Sequence, residues 1–238
     1  PTLNLSDIKA DEPAIEFQKE KIGDTTLLLY PQKTSGISYI NLAFDLQGVG
    51  EENLKNLEFF TDFIKKTNTE KTTFQELEKS MDTYIGGLGF GISTYQSVKN
   101  PNKYRPTLTV SMRFLNENRE KAMEIVKELT TSARFEPEDR LNTLVEEVKT
   151  NMVSGISYRA PSLSMSAATK SFYPAQGAFA DETGGGAFEN YVLKGEIKAD
   201  DLSARLRTIL KQVFNRNRLY LASVTSARPD LAVNRQSI

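Results

Sequence analysis

The chain has 238 residues, 39% of them hydrophobic and 26% charged, with 30 basic and 31 acidic residues for a net charge of −1. This composition is globular, and the even charge leaves no electrostatic footprint for nucleic acid. There is no Cys and no His, so disulfides, thiolate metal sites, a cysteine nucleophile, a Ser–His–Asp triad and every His-containing zinc motif are excluded.

The first thirteen residues are polar and read as a linker segment, with one domain expected over 14–238. Ala14–Lys19 and Thr25–Tyr30 are expected to form short strands around the turn Gly23-Asp24. Ile37–Gln47 alternates, with Ile40, Leu42, Phe44 and Leu46 on one face. Asn53–Lys66 places Leu57, Phe60 and Ile64 at helical spacing. Thr73 with Glu76 three residues later is a capping-box start for a helix running to about Ile85.

Leu88–Tyr95 and Thr107–Leu115 read as an antiparallel strand pair, the second with Leu108, Val110, Met112 and Phe114 on one face. Helices are expected over Arg119–Ser132 and Pro137–Val153, with Pro137 in the first turn. Ala160–Ser171 is a Ser/Ala-rich helix candidate, and Phe172–Gly186 reads as a loop ending in Gly184-Gly185-Gly186. Ala187–Leu193 and Asp200–Phe214 follow as helices and Leu219–Val224 as a last strand. Strands and helices are segregated, which predicts an α+β fold: a mostly antiparallel sheet of five to six strands covered by helices on one face. No apolar run is long enough to span a membrane.

Four features invite a chemical reading beside a structural one. Gly86-Gly87-Leu88-Gly89-Phe90-Gly91 is glycine-rich, but it lacks the Gly-Lys-Ser/Thr ending of a phosphate loop and leads from helix into strand, so a turn and a closely approached strand are favoured. Gly184–Gly186 reads as a connector, with a hinge or substrate-facing loop as the alternative. Glu146-Glu147 and Asp200-Asp201 read as a solvated helix face and a helix N-terminal charge rather than an acid/base pair. Arg205, Arg207, Lys211, Arg216 and Arg218 read as a solvated face rather than an anion patch.

An ordered set of segments carries a family resemblance: Leu5-Ser6-Asp7-Ile8, Leu28-Leu29-Tyr30-Pro31, Gly36-Ile37-Ser38-Tyr39-Ile40, Leu42–Gly48, Phe74-x-x-Leu77 and Tyr84-Ile85-Gly86-Gly87. With these the chain resembles the pitrilysin/insulinase zinc metallopeptidases, presequence-protease branch, at the start of their second, non-catalytic half. The resemblance implies a metallopeptidase-type α+β domain that helps to enclose a chamber for short peptides, with partners in other domains of one polypeptide. The family's first half carries H-x-x-E-H on a helix and binds zinc there. The implied counterparts here are Asn56, Leu57, Glu58, Phe59 and Phe60, so both metal positions (Asn56 and Phe60) and the general-base position (Phe59) are degenerate. No catalytic residue, metal ligand or cofactor is expected in this chain, and zinc is expected in the parent's N-terminal half. Phe59 and Phe60 are expected to fill core instead, with Phe60 buried.

The function so implied is that of a non-catalytic domain of a zinc endopeptidase degrading short unfolded peptides, without nucleic-acid or membrane partners. The alternative is a non-catalytic binding or assembly module of a heteromeric peptidase-like complex. An autonomous carboxylate-only hydrolase is the third and least favoured reading. The start at Pro1-Thr2-Leu3, without Met or a signal-like segment, is read as a piece of something longer. The cytoplasm is the default compartment.

Overall fold

The computed structural model describes residues 15–195 and 197–238, so the linker segment and Leu5–Ile8 lie outside the described residues. Six strands form one sheet: β1 (Gln18–Ile22), β2 (Thr25–Pro31), β3 (Ile37–Asp45), β4 (Gly87–Gln96), β5 (Tyr104–Leu115) and β6 (Leu219–Ser226). Their spatial order is β1-β2-β6-β3-β5-β4. Every pairing is antiparallel except β2–β6, which is parallel, so the sheet is mixed. The first strand is Gln18–Ile22 rather than Ala14–Lys19.

The two sheet faces differ as period-2 side-chain alternation requires. One carries Leu27, Leu29, Ile40, Phe44, Leu108, Val110, Met112, Phe114 and Val224, all buried. It packs against the helices, which supply Phe60, Ala122, Leu129, Leu144, Leu206 and Val213 to the same core. The α+β architecture read from the sequence is the one observed.

The helices are α1 (Glu51–Leu54), α2 (Leu57–Phe63), α3 (Phe74–Tyr84), α4 (Arg119–Ser132), α5 (Glu138–Ser154), α6 (Ile156–Phe172), α7 (Pro174–Gly184), α8 (Gly186–Lys194), α9 (Ala199–Val213) and α10 (Arg228–Arg235). Four differ from the sequence reading. The helix expected over Asn53–Lys66 is broken into α1 and α2, and Asn56 is the residue before α2. The expected loop Phe172–Gly186 is mostly helix α7, beginning at Pro174 in a first-turn position. Gly184–Gly186 is therefore the corner between two helices. A Cβ on Gly185 would lie 2.7 Å from Asp181 Cα, so only glycine fits this close approach. Asp181 Oδ1 accepts the Ala187 N–H at 3.2 Å across that corner. Finally, α10 has no counterpart in the sequence reading. It is pinned to the sheet by Asn234 Nδ2, which donates to the buried Ser38 Oγ, and by Asp230, which accepts from Asn116 Nδ2.

Helix α3 starts as its sequence dictates. The Thr73 hydroxyl accepts from the Glu76 N–H, and the Glu76 carboxylate accepts from the Thr73 N–H. Thr73→Ala should remove about 1 kcal/mol of stability through loss of this cap. For a domain of this size that is a fall of about 2–4 °C in Tm, checked by calorimetry.

Candidate functional site

Helix α2 is where the family resemblance places its degenerate motif, and the structure sends the three positions to different places. Asn56 is 2% exposed. Its Nδ2 donates to Glu52 O at 3.2 Å, and its Oδ1 accepts from Tyr191 Oη at 3.2 Å. Phe59 lies against Phe63 and Phe188 of α8, with ring centroids 5.3 and 5.4 Å away. Phe60 is fully buried between Phe135 and Phe214, at 5.5 and 5.9 Å. The expected burial of Phe60 is observed.

Two ends of an H-x-x-E-H segment must share one helix face that solvent and substrate can reach. Asn56 and Phe60 do not: one precedes the helix beside α8, and the other sits in the core. The same spacing two residues on meets that condition. Glu58, half-buried, and Asp62, exposed, are four residues apart on the outer side of α2. In that register Thr61 stands at the general-base position.

Neither register suits zinc. The first offers an amide whose two ends are already hydrogen-bonded and two phenyl rings. The second offers two carboxylates beside Lys65 and Lys66, with no third ligand. Among the described residues no group of three Asp, Glu, His or Cys side chains is arranged to hold a metal ion.

The electrostatics of this patch are nevertheless unusual. Burial pushes the Glu58 carboxyl up to about 7, and the negative Asp62 adds to the rise. Asp62 is raised as well, by burial against the opposing pull of Lys66 and Lys65. Lys65 is lowered by burial and by Lys66. Its ammonium donates to Leu88 O of β4 at 2.8 Å, tying α2 to the edge of the sheet.

Beside Asn56 lies a cleft of about 760 Å³ between the α1–α2 junction, α7 and the start of α9. Glu51, Glu52 and Glu182 line it together with Lys198, Arg205, Tyr104 and Tyr191. Lys55 spans it, 3.5 Å from Glu182 and 5.8 Å from the Tyr191 ring centroid. Burial raises Tyr191, which therefore stays a neutral donor to Asn56 at physiological pH.

The remaining sequence candidates are dispersed. Arg205 faces the cleft, Arg207 pairs with Glu136 at 3.2 Å, and Arg218 clamps Asp45 O and Gln47 O, each at 2.8 Å. Glu146 and Glu147 are exposed and pair with Lys149 and Arg140 on their own helix. Asp200 and Asp201 sit in the first turn of α9, where the helix dipole favours them.

The second sheet face is the feature the sequence reading did not identify. It carries Tyr39, Asn41, Ala43, Thr109, Ser111 and Arg113 on the central strands. On the edge strand β4, Gly87, Gly89 and Gly91 stand opposite Arg113, Ser111 and Thr109. Asn41, Ser111 and Gly91 are exposed, and Gly89 and Gly91 have open space above them. The Gly86–Gly91 segment is thus a turn and a strand. A Cβ on Gly87 would lie 2.9 Å from Arg113 Nε, so a larger residue there would push the arginine side chain aside. At one end of this face Arg105 stacks on Tyr220 at 4.5 Å, and Tyr220 Oη lies 3.0 Å from Thr107 Oγ1. The centre of the face is neutral, small and flat.

A mixed six-stranded sheet with helices packed on one side and an uncovered second face define an α+β domain. The family model for the domain associated with peptidase family M16, subfamily C, matches residues 1–190, and the chain belongs to that family. It is 24% identical over 224 residues to Protein HypA of Clostridium perfringens, covering 93% of this chain and 23% of that protein. To the mitochondrial presequence protease of Danio rerio it is 24% identical over 237 residues, covering 98% of this chain and 23% of the relative. The chain therefore spans 23% of the length of either relative.

Among solved structures it resembles a peptidase M16 inactive domain from Pseudomonas fluorescens, with a TM-score of 0.60 at 14% identity, over 93% of this chain and 50% of that one. A conserved protein from Enterococcus faecalis V583 gives the same score and identity over 91% of this chain and 50% of that one. These two likenesses show the fold.

Proposed function

We propose that the chain acts as a wall of a peptide-degrading chamber in a longer zinc metallopeptidase, contributing no ligand and no general base. The observation that carries this reading is the bare sheet face. It presents Asn41, Ser111 and Gly91 to solvent, with Thr109 and Gly89 half-buried beside them and no charge at its centre. A surface of this kind lets unfolded peptides of varied sequence slide and reorient, because it offers neither deep pockets nor fixed charges. Membership of the peptidase-associated family and the lack of His in the whole chain support the same reading.

In this account the zinc and the catalytic Glu reside in another part of the polypeptide, where a metal-bound water would be activated. The partners of residues 1–238 are then the neighbouring domains and short peptides.

The test is made on the polypeptide encoded by the complete reading frame. It should contain H-x-x-E-H outside residues 1–238 and should degrade short unfolded peptides in a chelator-sensitive way. Ser111→Arg and Asn41→Arg, both on the bare face, should slow cleavage several-fold while leaving Tm unchanged, because both positions are exposed. A reading frame without the motif would point instead to an assembly module with a separate zinc-bearing partner. Cleavage unaffected by both substitutions would remove the wall role.

A further inference from the structure

The cleft beside Asn56 is held open by residue choice. Helix α7 turns Ala175, Ala178, Phe179 and Glu182 towards it, at the spacing of one helix face. Two of these four are alanines, so little side chain intrudes from that side. Helix α9 and the residue before it present Lys198, Asp201, Leu202 and Arg205 at the same spacing. Helix α1 and its C-cap add Glu51, Glu52 and Lys55. The volume of about 760 Å³ lies within the range of small-ligand sites.

Among the described lining residues, the charges are sorted by element. The α1 and α7 sides bring Glu51, Glu52 and Glu182 against Lys55 alone, and Lys55 already lies 3.5 Å from Glu182. The α9 side brings Lys198 and Arg205 against Asp201 alone. Tyr191 of α8 supplies a fixed polar group. Its hydroxyl donates to Asn56 Oδ1 at 3.2 Å, because the Asn56 amide nitrogen donates to Glu52 O. With that proton committed, the Tyr191 oxygen acts towards a ligand as an acceptor, suited to an N–H.

We propose that this cleft binds a short peptide of two or three residues with both termini free, its ammonium towards the α1 and α7 carboxylates and its carboxylate towards Lys198 and Arg205. The charge pattern selects that ligand. A ligand of one sign would be attracted by one side and repelled by the other, whereas a zwitterion satisfies both. A volume of about 760 Å³ corresponds to a space about 9 Å across, which matches the roughly 7–11 Å spanned by two or three extended residues. A single amino acid holds its two charges too close together to reach both sides. Leu54 and Ile197, both half-buried in the lining, suit an apolar side chain between the termini. This inference does not rest on the chamber reading, since it needs neither zinc nor another domain.

The probe is Ala-Leu-Ala with free termini, titrated calorimetrically into the 238-residue chain at neutral pH. One molecule should bind per chain with a Kd below about 1 mM. The N-acetylated peptide, the C-terminal amide and free alanine should each bind at least about fivefold more weakly. Arg205→Gln should weaken the free peptide about threefold and leave its amide unchanged, and Glu51→Gln should do the same for the free against the acetylated peptide. Ala178→Trp should abolish binding with Tm unchanged, because Ala178 is exposed. A chain that stays unbound at several millimolar Ala-Leu-Ala would overturn the proposal, as would equal affinity for the free and the doubly blocked peptide. Binding that survives Ala178→Trp would overturn the assignment to this cleft.

Discussion

Phe60→Ala should lower the stability of the domain by about 3–5 kcal/mol, the cost of emptying a buried phenylalanine site. At about 2–4 °C per kcal/mol for a chain of this size, Tm should fall by about 6–20 °C. The reason lies in the position of Phe60 at 0% exposure between Phe135 and Phe214, where α2 meets the rest of the core. Phe60→Leu, which keeps most of the volume, should lose clearly less and provides the readout should the alanine variant not fold. Equal and small losses for both variants, measured by urea unfolding, would show that Phe60 is not the packing centre the structure makes it.

Glu58→Gln should act in the opposite direction and only at neutral or alkaline pH. Burial raises the Glu58 carboxyl from 4.5 to about 7 in the folded chain. Between those values the native state holds a proton that the unfolded chain releases, so the native state binds more protons and stability falls as pH rises. The penalty is absent below about pH 4.5 and complete above about pH 7. At about 1.4 kcal/mol per pH unit of displacement, and allowing for the partial exposure of the carboxyl, glutamine should add about 2 kcal/mol at pH 8 and almost nothing at pH 4.5. Asp62→Asn should give a smaller gain in the same direction, because the Asp62 charge is the second cause of the Glu58 shift. The check is urea unfolding of parent and variant at both pH values. A difference independent of pH would contradict the picture of a half-buried carboxyl that keeps its proton up to about pH 7.

Much of this fold was legible because its signals are local. Leu108, Val110, Met112 and Phe114 alternate in sequence and line one sheet face in space. The cap at Thr73 forms as its four-residue pattern requires. What failed depended on partners distant in sequence. The parallel pairing of β2 with β6 joins Thr26 to Leu221 and leaves no trace near either residue. Helix α7 was hidden by Pro174, Gly177 and Gly184, which locally disfavour helix. Gly177 is there because the Lys170 backbone leaves no room for a side chain. Helix α10 buries little beyond Leu231 and Asn234, too few residues for a periodic signal.

The candidate site divides in the same way. The lack of any metal-binding histidine was plain from composition. The register of the degenerate motif was not, because it depends on which side of α2 faces inward. Asn56 and Phe60 are both buried, and Glu58 with Asp62 is the pair four residues apart on the outer side of α2. The bare sheet face was equally hidden. Asn41, Thr109 and Ser111 read as ordinary polar positions of alternating strands until the sheet order brings them beside Gly89 and Gly91.

On the proposed reading, residues 1–238 form a peptidase-family domain whose motif helix no longer holds a metal. Calorimetric titration of zinc into the isolated chain at neutral pH tests this most directly. No stoichiometric binding is expected at micromolar zinc, and no change on Glu58→Gln or Asp62→Asn. A single tight site that disappears in either variant would contradict the reading, and would make α2 a metal-binding helix built from carboxylates.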